Sequence, residues 1–423
     1  MSPQPAARSS PPRSSFLFAG AGPEARVLVS ARALRGFADG FVSILLVTYL
    51  QSRGFSEVRI GALVTATLLG SAALTLAVGL LGQRLPPRRV LFGATALMMV
   101  TGLGFASVTA FWPLLLVAFA GTLNPSSGDV SVFLPTEQAL LSAQAGPLQR
   151  TALFARYNLG GAFAGALGAL ASALPALLAH RFEWQLEWLQ RLGFLGYALV
   201  AVAIAALYIN LRPAPEAPVP GLRWGLGPSR PVVLRLAALF SLDSFGSGLV
   251  VQSLLVLWLF KRFDLDESAA AAIFFAAGLL AAFSQFASPW LAARIGLVRT
   301  MVFTHLPASA FLILAAFMPT APLAVSLLLA RMAFSQMHAP ARQAFVMQAV
   351  RPAERAAAAS VTNVPRSLAS AFSPLIAGLF LNATSFGWSL VAAGLLKIAY
   401  DLLLLLQFGA HAEALPASVA PPP

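Results

Sequence analysis

Asp39 stands in "RGFADGFVS", Asp243 in "FSLDSFGSG" and Arg331 in "LLLARMAFSQ", each deep inside a run of apolar residues. A charge in such a run needs a partner or a water-filled cavity. A carboxylate so placed can carry a proton, which is the chemistry that proton coupling uses. An arginine so placed needs an anion, either a carboxylate such as Asp243 or one supplied from outside the protein. Gln252 and Gln336 are uncharged hydrogen-bonding candidates for the same cavity. Two plainer roles compete. Asp39 can pair with Arg32 or Arg35, the latter one turn earlier on the same face. Asp243 can cap a helix break softened by glycine and serine.

A second polar set recurs. "PTEQ" at 135–138 and "PARQ" at 340–343 both read Pro, two residues, Gln. Twelve residues beyond Gln138 and Gln343 come Arg150 and Arg355, and eight further on Asn158 and Asn363, all at an offset of 205. A further match at offset 210 relates "FSE" 55–57 to "LDE" 265–267 and Arg84 to Arg294. Four positions at one offset and several at the other indicate an internal duplication. Glu137, Gln138, Arg342 and Gln343 then close the fourth and tenth spans. Arg150, Arg156, Asn158, Arg355, Asn363 and Arg366 open the fifth and eleventh. The set is expected to ring one mouth of the molecule as a gate, with Glu137–Arg156 as its pair. Static lashing of neighbouring helices and direct contact with a solute are the alternatives.

These residues need apolar helices to hold them. The chain has 423 residues, 58% hydrophobic and 10% charged, where soluble domains carry about 25% charge. Its mean hydropathy is +0.78. Such a chain is polytopic and all-α. Twelve spans are expected, at 28–51, 58–82, 90–110, 113–140, 150–178, 191–211, 232–259, 267–292, 300–318, 321–349, 355–382 and 386–407. Residues 1–25 and 409–423 read as disordered tails. The Pro-rich stretch 212–231 reads as a linker between two pseudo-symmetric six-helix halves, 26–211 and 232–408. Segment 179–194, with Trp184 and Trp188, is amphipathic and suits the external membrane interface.

The net charge of +13 comes from 26 Arg and 2 Lys against 15 acids. The arginines are scattered over loops, as topology determinants are, so no nucleic-acid partner is expected. Arg84, Arg88, Arg89, Arg150, Arg212, Arg223, Arg230, Arg294, Arg299, Arg351 and Arg355 fall on one side. That side is expected to be cytoplasmic, with both termini and the linker.

Two six-helix halves, the basic stretch "GLLGQRLPPRR" between spans two and three, and "PLQR"/"PAER" before spans five and eleven resemble the major facilitator superfamily, over roughly residues 28–407. The stretch "SQMHAPARQAFVMQAV" through "ERAAAASVTNVPRSL" looks like a bacterial branch of it with no known substrate. In that family the second loop reads Gly-x-x-x-Asp-Arg-x-Gly-Arg-Arg/Lys. Gly79, Arg84 and Arg88 match, but Gln83 stands at the Asp position. The copy "PWLAARIGLVR" keeps Arg294 and Gly296, with Ala293 where the acid would be. The family's acidic gating partner is thus missing twice. The Gly-Pro pair of the drug antiporters is absent from span five as well.

The resemblance implies secondary transport of a small solute by alternating access across the cytoplasmic membrane. Protons are the expected coupling ion, and direction is left open. An uncoupled facilitator, a membrane-embedded enzyme and a transporter-like receptor are the alternatives. No Walker loop is present. Four scattered histidines and no cysteine give no metal-ligand spacing. No cofactor, no metal and no catalytic residue is expected, and a functional monomer is.

Overall fold

The computed structural model describes residues 22–81, 86–124, 132–143, 147–211, 228–350 and 355–409, and among these every regular element is a helix. Residues 1–21 and 410–423 of the tails and 212–227 of the linker lie outside the described residues, and α1 begins at Pro23, inside the stretch 1–25 expected as tail. The first three spans are α1 (Pro23–Ser52), α2 (Glu57–Leu81) and α3 (Pro87–Ser107). The fourth is split into α4 (Phe111–Ala120) and α5 (Phe133–Ala143). The fifth is α6 (Pro147–Ala171), continued by the short α7 (Leu174–Phe182), and the sixth is α8 (Leu186–Ile209). The second half repeats the plan. α9 (Arg230–Gly248) and α10 (Gln252–Phe263) form the seventh span, and α11 (Glu267–Ile295) and α12 (Leu297–Phe317) the next two. α13 (Ala321–Ser335) and α14 (His338–Ala349) share the tenth, and α15 (Arg355–Ala383) and α16 (Trp388–Phe408) complete the set.

Ten of the described helices or helix runs are long and apolar enough to cross a membrane. The two shorter apolar helices, Phe111–Ala120 and Ala321–Ser335, open the fourth and tenth spans. Continuous helices over 113–140 and 321–349 were expected there, and both are broken. The tenth breaks at Gln336 and Met337 because Pro340 has no N–H to give the Gln336 carbonyl, and its ring crowds that oxygen. The fourth leaves the helix after Ala120, at Gly121, where "GTLN" is poor in helix formers and Pro125 follows in the sequence. The amphipathic stretch 179–194 is also interrupted. α7 stops at Phe182, Glu183 turns with φ 54°, and α8 starts at Leu186. Trp184 and Trp188 are half exposed there and meet edge to face.

Both halves use the same pairings. α1 packs on α6 as α9 packs on α15, and α3 on α8 as α12 on α16. Small residues permit the closest of these approaches. A Cβ on Gly40 would run into the Gly165 carbonyl, and one on Gly36 into that of Gly161. The two most extensive pairings between the halves, α2 with α15 and α6 with α11, exchange under the internal symmetry. At Gly61 a Cβ would stand 2.7 Å from the Pro374 carbonyl oxygen. The outer surface is apolar, with Leu406 81% and Trp112 73% exposed, which suits lipid as solvent.

Candidate functional site

Each half holds a buried ionic cluster on its own helices. In the first half Arg35 of α1 forks onto Glu137 of α5, with Nη1–Oε1 at 2.9 Å and Nη2–Oε2 at 2.5 Å. Tyr208 donates to Oε1 at 2.5 Å, and Tyr157 donates to Oε2. The Arg35 guanidinium also lies 4.6 Å from the centre of the Phe133 ring. Arg35 is 2% exposed and Glu137 not at all. A bidentate, tyrosine-capped pair of this kind satisfies nearly every polar atom it buries, which is what a buried ion pair needs. Asp39 lies one turn further along α1. It is hydrogen-bonded by Asn124 and feels Arg32 and Arg35.

The expected pairing therefore changes. Glu137 is held by Arg35, Tyr157 and Tyr208 within the first half, where the sequence reading gave it Arg156 at the mouth. Its broken span places α5 directly against α1 and brings the carboxylate onto the guanidinium.

The second cluster mirrors the first with charges exchanged. Asp243 of α9 takes Lys397 Nζ at 2.8 Å, Arg342 Nη1 at 3.6 Å and His305 Nε2 at 3.6 Å. Lys397 also donates to Ser247 at 2.6 Å. His305 Nδ1 stands 3.1 Å from both oxygens of Asp401. The His338 ring lies 4.6 Å from that of His305, with Nδ1 donating to the Ser335 carbonyl at 2.6 Å. Asp243 thus forms ion pairs rather than capping the α9–α10 break. Arg342 is the repeat partner of Glu137, since 342 − 137 gives the same offset of 205. An Arg–Glu pair joins spans one and four, and an Asp–Arg pair joins spans seven and ten.

Arg331 sits in the field of Asp243 and His305. Its one hydrogen bond among the described residues goes to the Met332 sulfur at 3.5 Å. Gln336 ends α13 beside it. Gln252 works elsewhere. It donates to Ser43 of α1 at 2.9 Å, across the halves. Three more contacts join the halves at that same end: Lys261 to Glu57 at 2.9 Å, Thr48 to Glu267 at 3.1 Å, and Ser253 to the Ser43 carbonyl at 2.6 Å. At the opposite end α5 packs on α1, α3 and α6, and α14 on α11, α12 and α15, each within its own half.

The remaining candidates spread out. Arg156, Asn158 and Arg366 are partly buried, Asn363 is exposed, and Gln138 is partly buried on α5. The side chains of Arg150, Gln343 and Arg355 and the whole of Arg84 lie outside the described residues. Gly79 falls in the last turns of α2. Arg88 donates to the Ile209 carbonyl at the end of α8 at 3.0 Å, and Arg294 stacks 4.1 Å over Trp290. Lys397, Asp401, His305, Tyr157 and Tyr208 were not singled out as cavity residues from sequence. Lys397 and Asp401 had a signal: "LLKIAYDLLLLL" puts a base and an acid one turn apart inside a span.

Helix plan, duplication and buried charge in both halves define a two-half membrane transporter fold. The Major Facilitator Superfamily model matches residues 28–374 and again 236–420, and the chain belongs to that family. It is 25% identical over 421 residues to the uncharacterized membrane protein YJR124C of Saccharomyces cerevisiae, covering 90% of this chain and 93% of that one. Solved structures share the fold. The nucleoside transporter NupG superposes with a TM-score of 0.68 at 15% identity, over 92% of this chain and 98% of its own. A bacterial homolog of the human lysosomal transporter Spinster, inward-facing and unoccupied, gives 0.70 at 13%, over 98% and 100%. The D-xylose-proton symporter gives 0.67 at 15%, over 90% and 97%.

Proposed function

We propose that this transporter moves a small solute by alternating access and couples it to protons. The cluster around Asp243 carries this reading. Asp243 of α9 is shared by Lys397 of α16, Arg342 of α14 and His305 of α12, and His305 is shared with Asp401. Tyr400, His338, Arg331 and Arg366 face the same group of charges. One added proton redistributes every pairing in such a set, which ties α9, α12, α14 and α16 of the second half together. Asp39, held by Asn124 beside the break in the fourth span, is the counterpart in the first half.

The arginine-rich end, with Arg88 and Arg294, is read as cytoplasmic in a cell membrane. Both termini and the linker 212–231 then lie inside, and 26–211 and 232–408 rock as units in a monomer. The halves touch through Lys261–Glu57 and Gln252–Ser43 at the outer end. On this reading the structure is the inward-open state. Gln138, Arg150, Arg156, Asn158, Gln343, Arg355, Asn363 and Arg366 close the mouth in the opposite state.

The test is proton movement in liposomes holding a pH dye. Nucleosides, pentoses, amino acids and organic acids are added to wild type, Asp243→Asn and Asp39→Asn. The reading expects a solute that moves protons through wild type and not through Asp243→Asn. A solute carried equally by all three, without proton movement, makes the chain an uncoupled facilitator.

A further inference from the structure

Counting charge in the second half points to the solute itself. Three fixed cations, Arg331, Arg342 and Lys397, surround Asp243 and His305. Two carboxylates, Asp243 and Asp401, answer them. Arg366 of α15 adds to the positive side. Lys397 and Arg342 already claim Asp243, and His305 claims Asp401. Arg331 has no carboxylate within 4 Å among the described residues, and its one bond is to a thioether, a weak acceptor. In the first-half cluster Arg35 is paired with Glu137, and Arg32 and Arg35 face Asp39.

An arginine deep in a bilayer without an anion is costly. Its guanidinium offers a planar fork of donors that fits an oxyanion. α13 ends four residues later, at the Gln336–Met337 break, which opens the tenth span beside it. We propose that Arg331 is the anchor of an oxyanion site, and that the transported solute bears a carboxylate or a phosphate. The inference rests on the transport reading. A solute bound there gives Arg331 an oxyanion partner, so the loaded and empty carriers differ by one ion pair in the second-half cluster.

The test titrates the purified full-length protein with sodium acetate, benzoate, succinate, inorganic phosphate and glycerol 3-phosphate at matched ionic strength. Acetamide, benzamide and glycerol are the neutral counterparts, and the readout is the melting midpoint. At least one oxyanion is expected to raise the midpoint saturably while its neutral counterpart does not. The carboxylate and phosphate arms identify the group. Arg331→Gln is expected to weaken that binding by about tenfold or more, as loss of a charge-assisted bond does. Arg294→Gln, remote and exposed, keeps it. Should Arg331→Gln not fold, phenylglyoxal modification of Arg331 in wild type replaces it, and the same oxyanion must slow it. No oxyanion raising the midpoint, equal binding by Arg331→Gln, or unslowed modification overturns the proposal. A nucleoside or sugar crossing liposomes while no oxyanion binds leaves the transport reading intact and removes the anion site. An oxyanion held by Arg331 with no solute crossing does the reverse.

Discussion

Lys397 and Asp243 form the pair on which the second half depends most. Both are almost fully buried, and they lie 2.8 Å apart. Removing Lys397 leaves Asp243 with only its 3.6 Å contacts to Arg342 and His305; breaking a buried pair costs about 3–5 kcal/mol, whereas replacing both partners with apolar or neutral groups is often close to neutral. Lys397→Met alone is therefore expected to lower the melting midpoint sharply. Lys397→Met with Asp243→Asn should recover part of the loss, since Arg342 then gives up its own contact with Asp243, with proton coupling gone. Thermal melts of the three proteins check this, and a double variant as unstable as the single one would contradict it. The same logic applies to Arg35 and Glu137. Glu137→Gln leaves the guanidinium without its counter-charge and sets an amide NH2 where a carboxylate oxygen accepted, and melting should drop by a comparable amount.

This is also the scale at which the sequence was least legible. Asp39, Asp243, Arg331 and Glu137 stood out because a charge in an apolar run has few explanations. Their partners did not. Arg35 was read towards Asp39 because both share a helix face, and nothing in one dimension shows that a broken fourth span delivers Glu137 to it. Tyr157 and Tyr208 carry no signal until the carboxylate they cap is placed. His305 and His338 are 33 residues apart in sequence and 4.6 Å apart as rings.

Among elements, the close packing of α1 on α6 tightly constrains the first half. Gly40 faces the Gly165 backbone with no room for a Cβ. Gly40→Val forces the two helices apart, and a cost of about 1–3 kcal/mol or more follows from overpacking. Gly93 on α3 has open space around it, so Gly93→Ala should be neutral or stabilising by about 1 kcal/mol through helix propensity. Melting of the two variants side by side separates contact from propensity. Equal behaviour would mean that the α1–α6 approach is looser than described.

Helix number was legible, because each span is a long apolar run, and the duplication shows which helices correspond; which helices pack together was not. The breaks in the fourth and tenth spans were not. Apolar length carried the reading across "GTLNPSSGDVSV" and across Pro340, although both contain the residues that stop helices. The repeat offset was legible too. Its charge inversion, Glu137 against Arg342, became meaningful only once each was seen paired with the first span of its half.

For the whole molecule, the claim is that the two halves exchange a closed outer end for a closed inner end, and that protonation at the second cluster biases the exchange. The chain has no cysteine, so labels can be placed without background. Gln51 and Asn382 are exposed in the last turns of α1 and α15, on opposite halves at the end joined by Lys261–Glu57. The most direct measurement is pulsed electron paramagnetic resonance between spin labels at Gln51→Cys and Asn382→Cys in lipid, at acid and at alkaline pH. The account predicts two separations whose populations shift with pH in wild type and stop shifting in Asp243→Asn. A single pH-independent separation, or an unchanged pH response in Asp243→Asn, would contradict proton-coupled alternating access through this site.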